Sequence, residues 1–306
     1  MTTEAPDIDL SGPASRLRRE RRVRRVFWGA ALVSVLISLL IVGSLVGEAW
    51  NFIRTVPLGS LFDIGWFPRR GMFDVKTVVT GTLLIAGIAM LIATPLGLGA
   101  AVYLSEYATP RARRILKPML EVLAGIPSVV LGYFALTWIS PNLVQKLSSS
   151  GVFSMAAAGI GVGILVTPLV ASVSEDAMRA VPMSLREASY GLGARKATTA
   201  TRVVFPAAIS GIVASLILGV SRAIGETMVV AMAAGAVGGS LFELNVFEPG
   251  QTMTAAMTAL AIGSDQVAGS GNAFQSLFFL GLLLFLITLV LNVASERIVR
   301  RVREKY

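Results

Sequence analysis

The chain has no cysteine and no histidine among its 306 residues. Disulfides, thiol nucleophiles, haem–histidine ligation and histidine-based zinc sites are therefore excluded, and a Ser-His-Asp triad cannot be assembled. Charge is also scarce: 15% of residues are charged and 54% are hydrophobic, with a mean hydropathy of +0.73. Average soluble domains carry about 25% charged residues. No G-x-x-x-x-G-K-[S/T] phosphate loop is present, and the run GLGARKAT at 191–198 lacks its pattern. The chain therefore has no P-loop nucleotide site.

What it has instead is long uncharged runs, which place it among all-α polytopic membrane proteins. Six transmembrane helices are predicted, at 26–47, 77–105, 118–139, 153–174, 206–242 and 274–295. The first is long enough to cross, about 33 Å as a helix. It is read as an uncleaved span, because it is long for a signal-peptide core and no A-x-A site follows Gly47. Lys and Arg fix the orientation. Seven lie in the N-terminal tail, four in 106–117, five in 175–205 and five after the last span, against five in the opposite loops. By the positive-inside rule both termini are expected in the cytoplasm. The formal charge of +9 thus marks topology and contact with anionic membrane lipid, with no nucleic acid implied. Residues 1–25 read as a disordered basic cytoplasmic tail, 26–295 as a six-span membrane domain, and 296–306 as a cytoplasmic tail. The loop 243–273 contains no Lys or Arg. A re-entrant element shaping an outer gate and an ordinary external loop are both open readings.

Two stretches carry chemistry. In the 175–205 loop, Leu185, Tyr190, Leu192 and Val203 recur near helical spacing. Gly191 and Gly193 permit a sharp turn, and Pro206 suits the first turn of a new helix. Two short helices across the membrane face, leading into a span, are expected. A generic amphipathic interfacial helix is the alternative. In the 206–242 run, Arg222 and Glu226 stand at i and i+4, which predicts a shared helix face. Each charge costs about 2.5–3.5 kcal/mol at mid-span. Pairing offsets part of that and leaves guanidinium donors for an oxyanion. A purely structural ion pair is the bland alternative. Glu226 is expected to hold Arg222 when no anion is present. Pro127 predicts a bend in 118–139 whose freed carbonyls Ser128 or a solute meets, or else a packing kink. The pairs Gly43/Gly47, Gly159/Gly163 and Gly235/Gly239 permit close helix packing and are assigned no chemistry.

Glu187 and Ala188, with Gly193 six residues on and Phe205-Pro206 at the end, resemble the EAA loop of binding-protein-dependent ABC importer permeases. Ser189 stands where that pattern has its second alanine. The run SRAIGETM at 221–228 is similar to the R-A-hydrophobic-G-E-T-M run of phosphate permeases, and EVLAGIPSVVLGY at 121–133 is similar to their third-span signature. Met228 and the last span favour a PstC-type over a PstA-type subunit. The resemblance implies a type I ABC importer permease architecture, not an enzyme and without a cofactor. The implied partners are a homologous PstA-type permease, cytosolic PstB-type ATPase subunits and an external PstS-type phosphate-binding protein. It maps phosphate passage to Arg222 and Glu226, with Thr227 and Ser128 beside them. ATPase coupling maps to Glu187, Ala188, Gly193 and Pro206. Another oxyanion, such as sulfate or molybdate, and a gradient-driven secondary transporter are the rival readings.

Overall fold

The computed structural model describes residues 14–235, 238–262 and 271–302. Its helices are α1 (Ala14–Thr55), α2 (Val75–Val102), α3 (Pro110–Ala124), α4 (Ser128–Phe134), α5 (Met155–Arg179), α6 (Met183–Gly191), α7 (Lys196–Thr199), α8 (Ile209–Ile224), α9 (Met228–Ala233), α10 (Met253–Ala261) and α11 (Gly271–Val302). Of the tail expected at 1–25, residues 1–13 lie outside the described residues. The Arg-rich part from Ala14 is helical and continuous with the first span.

Four helices are long and apolar enough to cross a membrane, and six spans result if each of two bent helix pairs counts as one. The bends revise two expected spans. The third does not run straight through 118–139. α3 ends at Ala124, and α4 starts at Ser128 at 87° to it, running on through a π-helical stretch to Leu147. The bend expected at Pro127 is present, as a full break with Pro127 the N-cap of α4. α3 has no buried residue. It presents Ile115, Met119, Val122 and Leu123 on its surface beside its cations, the pattern of a helix lying in the membrane interface. The fifth expected span is likewise not one helix. α8 is 16 residues, about 24 Å, too short to cross a hydrocarbon core of about 30 Å. The bent pair that would count as this span is Lys196–Ala207 with α8, at 72°, and α9 follows α8 after a break at Gly225, Glu226 and Thr227.

α5 is the hub. Its buried face (Val162, Val166, Val170) packs on Ile85, Ala89 and Ala93 of α2 and on Ala223 and Ile224 of α8. A Cβ at Gly159 would stand 2.7 Å from Ile88, and one at Gly163 3.0 Å from the Ala89 carbonyl oxygen. This small-residue pair therefore sets the α2–α5 approach. Gly43 and Gly47 have nothing within 4 Å. α1 packs along α11, and the rest of its surface is apolar and exposed (Leu36, Ile37, Leu40), as a lipid-facing helix requires.

A small sheet lies at the end opposite the α6–α7 loop: β1 (Gly65–Phe67), β2 (Met72–Phe73) and β3 (Ser240–Leu241), in the order β2-β1-β3 and antiparallel. Below it Phe52 meets Phe73 and Phe279 with ring centroids 5.0 Å apart in each pair. The chain after β3 turns back into the bundle. The Met253 amide donates to Thr82 Oγ1 (3.1 Å), and the Thr254 hydroxyl donates to the Glu226 carbonyl oxygen (2.7 Å). Thr82 lies about 10 Å along α2 from its start, so the start of α10 returns alongside α2 instead of staying beyond its end. Residues 263–270 of the same loop lie outside the described residues.

Candidate functional site

The first constellation is the elbow between α5 and α8. α6 ends in a Schellman turn: the Ala194 amide reaches the Ser189 carbonyl oxygen and the Gly193 amide reaches that of Tyr190. Gly193 takes φ +77°, a conformation that a side chain penalises. α7 follows, extends through a π-helical turn to Phe205 and Pro206, and meets α8 at 72°. The two expected short helices and their turn are thus present. Glu187 and Ala188 are exposed and form an open ridge. Ser189, where the family pattern has alanine, faces inward and shares a 2.9 Å hydrogen bond with the fully buried Thr199. It braces α6 against α7 rather than facing outward.

Sequence reasoning missed what anchors this elbow. Arg186, directly before Glu187, is buried. One guanidinium nitrogen donates to the Val181 carbonyl oxygen (2.7 Å). The other donates to that of Met178 (2.9 Å) and to Glu106 Oε1 (3.0 Å). A single planar fork therefore joins α6 to the ends of α5 and α2. A second missed group is Glu175, fully buried on α5. It accepts from Arg113 Nε (2.8 Å) and Lys117 Nζ (2.7 Å), and Arg179 Nε stands 3.7 Å away. Lys117 also bonds Asp176. Burial alone would lower the Lys117 ammonium. Its hydrogen bonds to Asp176 and Glu175 outweigh that, so its pKa is raised. The cluster pins α3 to the hub. The only local signal for either group was an acid at the end of a span amid basic residues.

The second constellation is the break in the fifth span. Arg222 lies in the last turn of α8, which ends at Ile224 with Gly225 as its C-cap. Glu226 lies beyond that cap. The expected shared face and ion pair are consequently absent: Arg222 is exposed, Glu226 is 6% exposed, and no ion pair joins them among the described residues. An i, i+4 pair needs a continuous helix, and three residues outside regular helix rotate the carboxylate away. Thr227 is the N-cap of α9, with its hydroxyl on the Gly225 carbonyl oxygen (3.3 Å). Buried Ile212, Ser215, Gly219 and Ala223 face the bundle, whereas Leu218, Arg222 and Gly225 form the open face of the same helix. Ser128 is half-buried, one turn before Gly132, whose position would put a Cβ 3.0 Å from the Met228 carbonyl oxygen. It therefore sits near the level of the break. A broken span with a cation on its open face places polar backbone and a guanidinium together at membrane depth, tolerated only beside protein or a water-filled path.

Comparison with known proteins agrees with this geometry. The sequence profile of the family "Binding-protein-dependent transport system inner membrane component" matches residues 93–304. The phosphate transport system permease protein PstC of Pasteurella multocida is 31% identical over 306 residues, covering 93% of this chain and 92% of that protein. The probable ABC transporter permease protein YqgH of Bacillus subtilis is 31% identical over 297 residues, covering 94% of each. A bacterial ABC transporter for import of the acidic polysaccharide alginate has the same fold. Its TM-score is 0.62 at 14% identity, covering 94% of this chain and all of that one. The architecture is that of ABC importer permeases, and the chain is a multi-pass transport component rather than an enzyme. It belongs to the family of binding-protein-dependent transport system inner membrane components.

Proposed function

We propose that the chain is the PstC-type permease subunit of an ATP-driven phosphate importer and forms half of the translocation pathway. The observation that carries this reading is Arg222 on the open face of a broken span, in a chain related over 93% of its length to a phosphate permease. An arginine facing lipid is costly, so that face meets the pathway and a second, PstA-type permease. Both termini and the α6–α7 elbow lie in the cytoplasm, and the sheet lies outside. Glu187 and Ala188 form the ridge that a PstB-type ATPase grips. Gly193 and Pro206 shape the elbow, and ATP hydrolysis belongs to that separate subunit. A PstS-type binding protein docks at the sheet side and releases phosphate. Arg222 takes its oxygens bidentately, while Thr227, Glu226 and Ser128 border the gap that the anion crosses. The complete complex, reconstituted in vesicles with ATP inside, is expected to take up radiolabelled phosphate, with arsenate competing and sulfate not. Uptake without the ATPase, or sulfate as the preferred cargo, refutes the proposal.

A further inference from the structure

On the sheet side of the break lies a cavity of about 350 Å³, bounded by Arg69, Met228, Ala231, Gly238, Gln251 and Thr258. It begins at Met228, the first residue after the break, and lies between α9 and α10. Its volume is roughly ten times that of a water in the liquid, enough for a hydrated oxyanion. Three features give it chemical character. First, Arg69 sits in the tight turn between β1 and β2, fixed by buried Trp66, Pro68 and Phe73. Its neighbour Arg70 lies over the Phe67 ring, but Arg69 has no ion pair or hydrogen bond among the described residues. Second, no acidic side chain is among the described residues that line the cavity. Third, Gln251 is 3% exposed and its Oε1 has no hydrogen-bond partner. A buried acceptor left empty costs about 1–3 kcal/mol and calls for a solvent or ligand partner. A smaller adjoining void is bounded by the same Arg69, Gly238 and Gln251.

We propose that this cavity is a second anion site, occupied before the break is crossed. Arg69 takes the charged oxygens of a partly protonated oxyanion, and the Gln251 amide oxygen accepts its hydroxyl proton. The inference rests on the phosphate reading above and deepens it. Inorganic phosphate keeps at least one P–OH at neutral pH, whereas sulfate has none, so the orphan acceptor rewards phosphate and leaves sulfate with an unmatched lone pair. A site that hydrogen-bonds its ligand in this way discriminates more strongly than shape alone.

The test uses the complete importer in vesicles, with uptake measured per assembled complex alongside binding-protein-stimulated ATP hydrolysis. Arg69→Ala and Gln251→Leu are each expected to lower phosphate uptake about tenfold, the worth of one charge-assisted or buried hydrogen bond. Arg69→Lys is expected to recover most of the loss. Because the chain has no native cysteine, Arg69→Cys can be modified after assembly, which bypasses any folding defect. A cationic thiol reagent should restore uptake and an anionic one abolish it. Equal uptake after the two reagents, or uptake within twofold of the unsubstituted complex in both Arg69→Ala and Gln251→Leu, overturns the proposal. Failure of the unsubstituted complex to move phosphate would instead sink the phosphate reading itself.

Discussion

Replacing Arg186 tests the elbow as a rigid transmitter. Its guanidinium spends its donors on Glu106 and on two carbonyls at the end of α5. Both members of the ion pair are buried. Arg186→Ala leaves Glu106 a buried carboxylate without its cation, a change worth about 3–5 kcal/mol when such a pair is broken. Arg186→Lys keeps the charge, but one ammonium cannot serve the same planar fork. It should lose about one charged hydrogen bond, roughly 1.5–3 kcal/mol. Glu106→Gln keeps an acceptor and should cost the least. The double variant Arg186→Met/Glu106→Gln should recover part of the single-site loss, because no buried charge is stranded. In the purified complex, thermal midpoints should fall in that order, by about 2 °C or more per kcal/mol. The ratio of ATP hydrolysed to phosphate imported should rise in parallel, as α6 moves without carrying α2 and α5. Unchanged midpoints and an unchanged ratio in Arg186→Ala would refute the anchoring role.

Three further outcomes follow from the same geometry. Ser189→Ala, although it restores the family's residue, strands the buried Thr199 hydroxyl and should cost about 1–3 kcal/mol, whereas Ser189→Ala/Thr199→Val should be near neutral. Stability of the two variants in detergent distinguishes them, and equal losses contradict the brace. Gly193→Ala forces a Cβ into a left-handed turn at roughly 1–2 kcal/mol, while Gly193→Asn is tolerated better. ATPase retained on purification reads this out, and equal retention by both variants counts against the turn. Glu175→Ala unpins α3 from the hub and should raise hydrogen exchange across 110–124, and unchanged exchange removes the clamp.

Much of this architecture was legible in the sequence because partition into lipid depends on composition. The runs at 77–105, 153–174 and 274–295 lie on α2, α5 and α11 for that reason. Hydropathy does not report backbone direction. The break at Gly225, Glu226 and Thr227 sits inside an apolar stretch, so hydropathy predicts one continuous span and the i, i+4 spacing pairs Arg222 with Glu226 across a helix that ends between them. The apolar side of α3 likewise merged with α4 and displaced the third span toward 118. In the elbow, Gly193 announced its turn because glycine at a helix end has a local conformational meaning. Arg186 and Glu106 did not, since their partnership spans 80 positions and neither residue is unusual in a charged loop. Ser189 departs from the family pattern because its hydroxyl has a partner, Thr199, ten positions away on the next helix, which local sequence does not report.

The central claim is that a guanidinium on the open face of a broken span carries the anion across. Uptake of radiolabelled phosphate by the complete complex with Arg222→Gln, at normal abundance and with the ATPase retained, tests this most directly. Loss of bidentate, charge-assisted binding should cut uptake at least about tenfold. Undiminished uptake would contradict the account.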